Sequence, residues 1–280
     1  MAGKPAVTVC IPTYNRRALL SASLQSVLQQ SFSDVEIIVS DNGSTDDTGD
    51  YVRSLNDPRI RYDRLEENIG LFGNLSRCLQ LGSGRYRVML PDDDLMLPGN
   101  LESKVRFLEQ NPSAGMVHSG FRYLDENALP VGPATNWARL DADTLEPGES
   151  FLRRSLALGG MVCVSSVMLR SELVAEEKFD ADDGPYADIA LWLRVAARSD
   201  VGFLVAPLSG YLVHASSASS GFGASYLIDD SSSLSSVSRS PSASLVMITT
   251  CRFFAERYFL IALLTSSRVS FVYAARIVST

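Results

Sequence analysis

Short apolar runs alternate with stretches whose apolar residues recur at helical spacing from Val7 to Ser119. Val7 to Ile11 is a run rich in β-branched residues, and Leu20, Leu24, Val27 and Leu28 then share one helical face before a second run, Val35 to Val39. That is the pattern of a βαβ unit. It continues with a polar turn from Asp41 to Asp47, a helix ending near Asn56, and a strand from Arg59 to Arg64. A helix carrying Leu75, Leu79 and Leu81 follows, then a strand from Tyr86 to Leu90, a helix from about Asn100 to Gln110, and a strand from Gly115 to Ser119. Strands alternating with helices at these lengths predict an α/β fold, a mainly parallel central sheet with helices on both faces.

Ligands of such sheets bind outside the carboxyl ends of the strands. Three polar segments meet that condition: Pro12-Thr13-Tyr14-Asn15, Asp41-Asn42-Gly43-Ser44, and Pro91-Asp92-Asp93-Asp94.

Beyond Phe121 the pattern turns irregular to about Ser150, broken by Pro130, Pro133 and Pro147, and reads as a hairpin and loops over the sheet. Val162 to Leu169 reads as a strand, Ala190 to Ala197 as a helix opening just after Asp188, and Val201 to Val205 and Ser209 to Val213 as two closing strands. Residues 216–244 are rich in serine and glycine and read as a loop or linker. From Arg239 to Thr280 five arginines stand against one glutamate, and the uncharged run Tyr258 to Ser267 is far shorter than the roughly 20 residues that span a bilayer. The organisation expected is one large domain over 1–215, in two halves, 1–119 and 120–215. A linker over 216–244 and a helical extension over 245–280 complete the chain. The basic extension suits packing on the domain or a homodimer partner, and secondarily a peripheral contact with an anionic membrane face.

The 280 residues carry a net charge of −7, without the electrostatic footprint of a nucleic-acid-binding protein. An anionic ligand would need local positive charge. The N-terminus, Met-Ala-Gly-Lys-Pro, lacks the features of a signal peptide, so a cytoplasmic location is expected. Cys10, Cys78, Cys163 and Cys251 show no metal-ligand spacing and read as reduced thiols.

Three consecutive carboxylates at a strand end repel one another unless a cation sits among them. A hard divalent cation such as Mg2+ or Mn2+, held by one or two carboxylates and completed by substrate phosphates, would answer that. An acidic helix cap is the simpler alternative. Neither Asp cluster has the ligand spacing of a helix-loop-helix calcium site, and neither a dinucleotide fingerprint nor a Walker-type loop is present.

Val7-Thr-Val-Cys-Ile-Pro-Thr-Tyr-Asn-Arg16, Glu36-Ile-Ile-Val-Ser-Asp41-Asn-Gly-Ser-Thr-Asp-Asp47, Glu67-Asn68-Ile69-Gly70 with Asn74, and Leu90-Pro91-Asp92-Asp93-Asp94 occur in order along the chain. Together they resemble the inverting family 2 nucleotide-sugar glycosyltransferases of the GT-A fold, over roughly residues 5 to 215. The resemblance implies that Pro12, Thr13 and Tyr14 line a base and ribose pocket, with Arg16, Asn68 and Asn74 also serving the nucleotide sugar. It implies that Asp41 bonds the base or ribose, that Asp92 meets the ribose, and that Asp93 holds the metal. Two registers of the acidic signature are open, one pairing Asp92 with Asp93 and the other Asp92 with Asp94. Asp94 is therefore a further metal candidate, and so is His214, which matches a position where relatives carry a histidine near the diphosphate or metal; the resemblance makes 1–119 the nucleotide-sugar-binding half of a catalytic domain and 120–215 its acceptor and catalytic-base half.

Tyr186-Ala-Asp188-Ile-Ala-Leu-Trp192-Leu-Arg194 is similar to the family segment whose acidic residue is the catalytic base, which makes Asp188 the expected base; a helix cap is its plainer alternative. The implied partners are a nucleoside diphosphate sugar, UDP- or dTDP-linked, and a hydroxyl acceptor on a glycan, lipid-linked glycan or small molecule. The rival classes are a sugar nucleotidyltransferase, a noncatalytic sugar-nucleotide-binding module and a glycosidase. His118, within an apolar strand, reads as structural.

Overall fold

A computed structural model describes residues 3–158 and 162–214. The linker over 216–244, the extension over 245–280 and Cys251 lie outside the described residues, and with them the expected dimer and membrane contacts.

The chain opens β1 (Val7–Thr13), α1 (Arg17–Leu28), β2 (Val35–Asp41), α2 (Thr48–Ser54), β3 (Ile60–Arg64), α3 (Leu71–Gln80) and β4 (Tyr86–Met89). Strand β1 pairs in parallel with both β2 and β4, and β2 with β3, so the three helical crossovers of this region join parallel strands as the alternation predicts. A two-residue strand β5 (Leu95–Met96), α4 (Asn100–Gln110), β6 (Ala114–Leu124), β7 (Pro130–Thr135), β8 (Thr144–Glu146) and α5 (Gly148–Leu158) follow. The described chain ends with β9 (Met168–Arg170), α6 (Ala187–Ala196) and β10 (Asp200–Leu212).

The sheet runs β3-β2-β1-β4-β9-β6-β10-β5. It is mixed: β9 is antiparallel to both β4 and β6, whereas β6 and β10 are parallel. One face buries Leu20, Leu24 and Val27 of α1 and Leu101, Val105 and Leu108 of α4 against Val7, Val9, Ile11 and Val88. The other buries Cys78 and Leu79 of α3, Phe151 of α5, and Leu191 and Trp192 of α6 against Cys10, Ile38 and Met89. Alternation along each strand sends successive side chains to opposite helical layers.

Four elements differ from expectation. Val162 to Leu169 is not one strand: a 3-10 turn occupies Val164–Ser166 before β9. Ser166 Oγ donates to the Cys163 carbonyl at 2.6 Å, the local side-chain bonding by which serine competes with a ladder. The two closing strands are one strand, β10, with register shifts between Leu204 and Ser209, where Pro207 removes a ladder donor. Helix α5 begins at the end of the region read as loops and runs through residues to which no element was assigned, its start bonded to Pro147 through Phe151 N at 3.2 Å. The expected hairpin after Phe121 is present as the antiparallel pairing of β6 with β7.

Helix α6 opens at Ala187 rather than after Asp188, and Tyr186 is its cap. Asp188 thus sits inside the first turn, and its Oδ1 accepts from Ile189 N at 2.8 Å.

Candidate active site

The carboxyl ends of β1, β2 and β4 carry the three polar segments to one end of the sheet. Asn15 ties the first to the second. Its backbone adopts φ 53°, a left-handed conformation that asparagine tolerates, its N–H donates to Ser44 Oγ at 2.8 Å, and its Oδ1 accepts from Thr45 N at 2.7 Å.

Around the acidic triplet a single network forms. Thr13 Oγ1 donates to Asp92 Oδ2 at 2.7 Å, and Arg16 Nη1 lies 3.2 Å from both Asp92 Oδ1 and Asp93 Oδ2. His214 Nε2 lies 3.0 Å from the same Asp93 Oδ2. Thr13, Arg16, Asp92, Asp93 and His214 are therefore brought together from β1, the turn before α1, the end of β4 and the residues after β10. Burial, and then the charge of Asp93, raise the Asp92 carboxyl to about 6, against the lowering effect of Thr13 and Arg16.

Asp94 stands apart from its neighbours. It is 2% exposed, its Oδ1 accepts from Leu212 N at 3.1 Å, and the Ser165 side chain also bonds it. Burial, then the charge of Asp93, push its carboxyl up to about 8. Asp94, a metal candidate from the sequence, is here a buried carboxyl that anchors the end of β10. The physical reason is that β10 returns over β5 and claims the oxygen for a ladder-end N–H.

Asp41, Asn68 and Asn74 are engaged within the protein. Asp41 is fully buried, with Oδ1 accepting from Ser44 N at 2.8 Å and Oδ2 from the Tyr62 hydroxyl. Asn74 Nδ2 donates to the Ser40 carbonyl at 2.9 Å, and its Oδ1 accepts from Ser40 Oγ at 2.7 Å. Asn68 Oδ1 accepts from Asn42 Nδ2 and from Gly70 N, both at 2.8 Å. These three build the second loop beside the carboxylate network, while Pro12 is partly buried at the end of β1 and Tyr14 is exposed beyond it. Tyr62 escaped the sequence reading, and Asn15 entered it only as part of the first polar segment, without a role of its own. Asparagine at a strand-to-helix turn was a usable signal for Asn15; nothing local marks Tyr62.

Asp188 and Asp94 both act on the Cys163 thiol. Burial raises that thiol to about 12, with the carboxylates of Asp94 and then Asp188 contributing, so both acids lie within electrostatic reach of one sulfur. Cys163 Sγ is 3.1 Å from Ser165 Oγ, the side chain that also bonds Asp94. Burial raises Asp188 to about 6, against the Ile189 N–H. His118 is packed 5.1 Å from the Phe203 ring and 6.1 Å from the Phe151 ring, buried as expected of a structural residue.

Could these donors hold Mg2+ or Mn2+? Among the described residues no group of three or more His, Cys, Asp or Glu side chains is placed to hold a metal ion. Asp93 Oδ2 and His214 Nε2 supply a hard oxygen and an imidazole nitrogen 3.0 Å apart. Two protein donors suit a cation whose remaining ligands are substrate phosphate oxygens and water, the usual arrangement for Mg2+. The residues fit a cation that arrives with a diphosphate and do not form a self-sufficient cage.

The sequence matches the family described as Glycosyl transferase family 2 over residues 8–173. A GalNAc(5)-diNAcBac-PP-undecaprenol beta-1,3-glucosyltransferase of Campylobacter jejuni is 40% identical over 118 residues, covering 41% of this chain and 37% of that protein. S. aureus TarS 1-349 in complex with UDP-GlcNAc superposes with a TM-score of 0.62 at 17% identity, over 74% of this chain and 58% of that one. The mannosyltransferase PcManGT of Pyrobaculum calidifontis, in complex with GDP-Man and Mn2+, gives a TM-score of 0.51 at 18% identity, over 76% and 57% of the two chains. The chain spans between 37% and 66% of the length of the first curated relatives it matches. The sheet order, the helices on both faces and the match over residues 8–173 agree: this chain belongs to glycosyl transferase family 2, on a GT-A fold.

Proposed function

We propose that the chain transfers a sugar from a nucleoside diphosphate sugar to an acceptor hydroxyl with inversion at the anomeric carbon, assisted by Mg2+ or Mn2+. The observation that carries this reading is the convergence of Arg16, Asp92, Asp93 and His214 within hydrogen-bond range at one end of the sheet. A guanidinium beside two carboxylates and an imidazole is a mixed-charge site suited to a diphosphate and its cation. The bound cation would offset charge developing on the leaving diphosphate.

The reading assigns a role to each protein group. Asp93 and His214 would hold the cation, in the register that pairs Asp92 with Asp93. Arg16 neutralises the carboxylates in the resting protein and turns to phosphate oxygens when the donor enters. Asp92, oriented by Thr13, meets the ribose, and Pro12 and Tyr14 flank the base. Asp41, Asn68 and Asn74 shape the second loop of that pocket from beneath. Asp188 removes the proton from the acceptor hydroxyl as it attacks, and a carboxylate raised to about 6 is a stronger base than an ordinary one while still ionised at neutral pH. Attack from the face opposite the leaving group inverts the centre, and nearby oxygens would stabilise oxocarbenium character.

UDP or dTDP is the favoured donor nucleotide. Relatives described as acting on undecaprenol-linked glycans favour a lipid-linked or polysaccharide acceptor, which a cytoplasmic enzyme would meet at the membrane face. A thermal-shift panel of UDP-, dTDP- and GDP-sugars, each with and without Mn2+, tests donor and metal together. The reading predicts stabilisation by one nucleotide family that depends on Mn2+. Release of pyrophosphate instead of nucleoside diphosphate would identify a nucleotidyltransferase, and binding without turnover across acceptors would identify a binding module.

A further inference from the structure

Arg87 lies on β4 at the end of the sheet opposite the acidic triplet, in register with Thr8 near the start of β1. It is 5% exposed, and its Nε is buried without a hydrogen-bond partner among the described residues. Its one hydrogen bond there is from Nη2 to the Gly82 carbonyl at 3.4 Å, long for a charged donor. Guanidinium stays charged at any ordinary pH, and an unpaired buried charge is strongly unfavourable. The neighbouring carboxylate, Glu36, makes no ion pair with it: Glu36 Oε1 accepts instead from Thr8 Oγ1 at 2.6 Å, Ser83 N at 2.5 Å and Gly84 N at 3.2 Å.

Arg87 also lines a cavity of about 780 Å³ at this end of the sheet. Lys4, Arg85 and Arg170 share the lining, against the carboxylates of Asp34 and Glu172. Arg85 is paired with Glu109, and Arg170 is bonded to the carbonyls of Leu108 and Ala114, each at 2.7 Å. Lys4 and Arg87 are thus the cations left to meet a ligand, one exposed at the rim and one buried behind it.

We propose that this cavity is a second ligand site, separate from the catalytic end, that binds a small molecule through a phosphate group held by Arg87 and Lys4. A phosphate offers two acceptor oxygens to the planar fork of an arginine and a further oxygen to a lysine. The cavity is larger than a bare oxyanion, which leaves room for the rest of a phosphorylated metabolite. It stands apart from the sugar-transfer reading, because none of its lining residues belongs to the carboxylate network.

The test uses the full chain and inorganic phosphate as probe, in thermal melts at constant ionic strength held with chloride. The wild type gains about 3 °C or more at saturating phosphate, the size expected for ligand linkage in a protein of this length. Arg87→Met melts no lower than the wild type without phosphate, since it removes an unpaired buried charge, and loses the phosphate response. Lys4→Ala changes an exposed rim residue, so it leaves the fold intact and raises the phosphate midpoint severalfold. Arg16→Ala, at the catalytic end, keeps the response. Three results would overturn the proposal: a wild type that phosphate does not stabilise, a phosphate midpoint shared by the wild type, Arg87→Met and Lys4→Ala, or a response to malonate that exceeds the response to phosphate.

Discussion

His214 Nε2 and Asp93 Oδ2 lie 3.0 Å apart, although 121 residues separate them along the chain. The pairing exists because β10 runs back beside β5 and delivers the residues after Leu212 to the acidic loop, where Leu212 N is already bonded to Asp94. One strand end therefore both supplies a donor to the proposed cation site and is anchored by the neighbouring carboxyl.

His214→Ala, which removes one of the two protein donors, should weaken Mn2+-dependent donor binding by about tenfold or more and leave metal-free nucleotide binding nearly unchanged. Isothermal titration with and without Mn2+ measures both. Equal losses in the two conditions would remove His214 from the cation site.

The anchor can be tested separately. Asp94→Ala leaves the Leu212 N–H and the Ser165 hydroxyl without their acceptor, and should lower stability by about 1–3 kcal/mol. Asp94→Asn keeps an acceptor oxygen and should lose less. Urea unfolding of the two variants reports the difference, and equal stability in Asp94→Ala and wild type would show that the anchor carries no weight.

Lys104 makes a prediction about stability against pH. It is fully buried on α4, with Nζ lacking a hydrogen-bond partner among the described residues, and burial lowers its ammonium to about 7. Its folded pKa lies below the unfolded one, so the unfolded chain binds the extra proton between those values and stability rises with pH across that window. Below about 7 the buried charge is present in full and opposes folding. Lys104→Met should therefore be more stable than the wild type near pH 6, with an advantage that shrinks toward about pH 9. Denaturant titrations at the two pH values check it; an advantage that grows with pH contradicts the assignment.

Much of the fold over residues 5–119 was legible because its signals are local. Val7 to Ile11 and Val35 to Val39 are continuous apolar runs, Leu20, Leu24 and Val27 repeat at helical spacing, and the structure pairs the two runs residue for residue. The region after residue 120 was less legible because its elements depend on distant partners. The apolar run through Val164 looks like a strand until Ser165 and Ser166 turn it, and Pro207 hides the continuity of β10. The same limit governs the site. Asp92, Asp93 and Asp94 are chemically alike in sequence, and what separates them is the return of β10, which buries Asp94 and brings His214 to Asp93. The buried contact between Tyr62 and Asp41 likewise arises only from the register of β2 with β3.

Asp188 carries the central claim, because sugar transfer with inversion requires a base at the acceptor hydroxyl. A base raised to about 6 must be ionised to act, so the acceptor-dependent rate should hold at neutral pH and fall as pH drops through that value. The most direct measurement is the rate of nucleoside diphosphate release from the donor identified by the thermal-shift panel, with acceptor present, for the wild type and Asp188→Asn. The account predicts that Asp188→Asn binds the donor as the wild type does and loses turnover by at least about a hundredfold, the usual scale for removing a general base. Turnover by Asp188→Asn close to that of the wild type would contradict it.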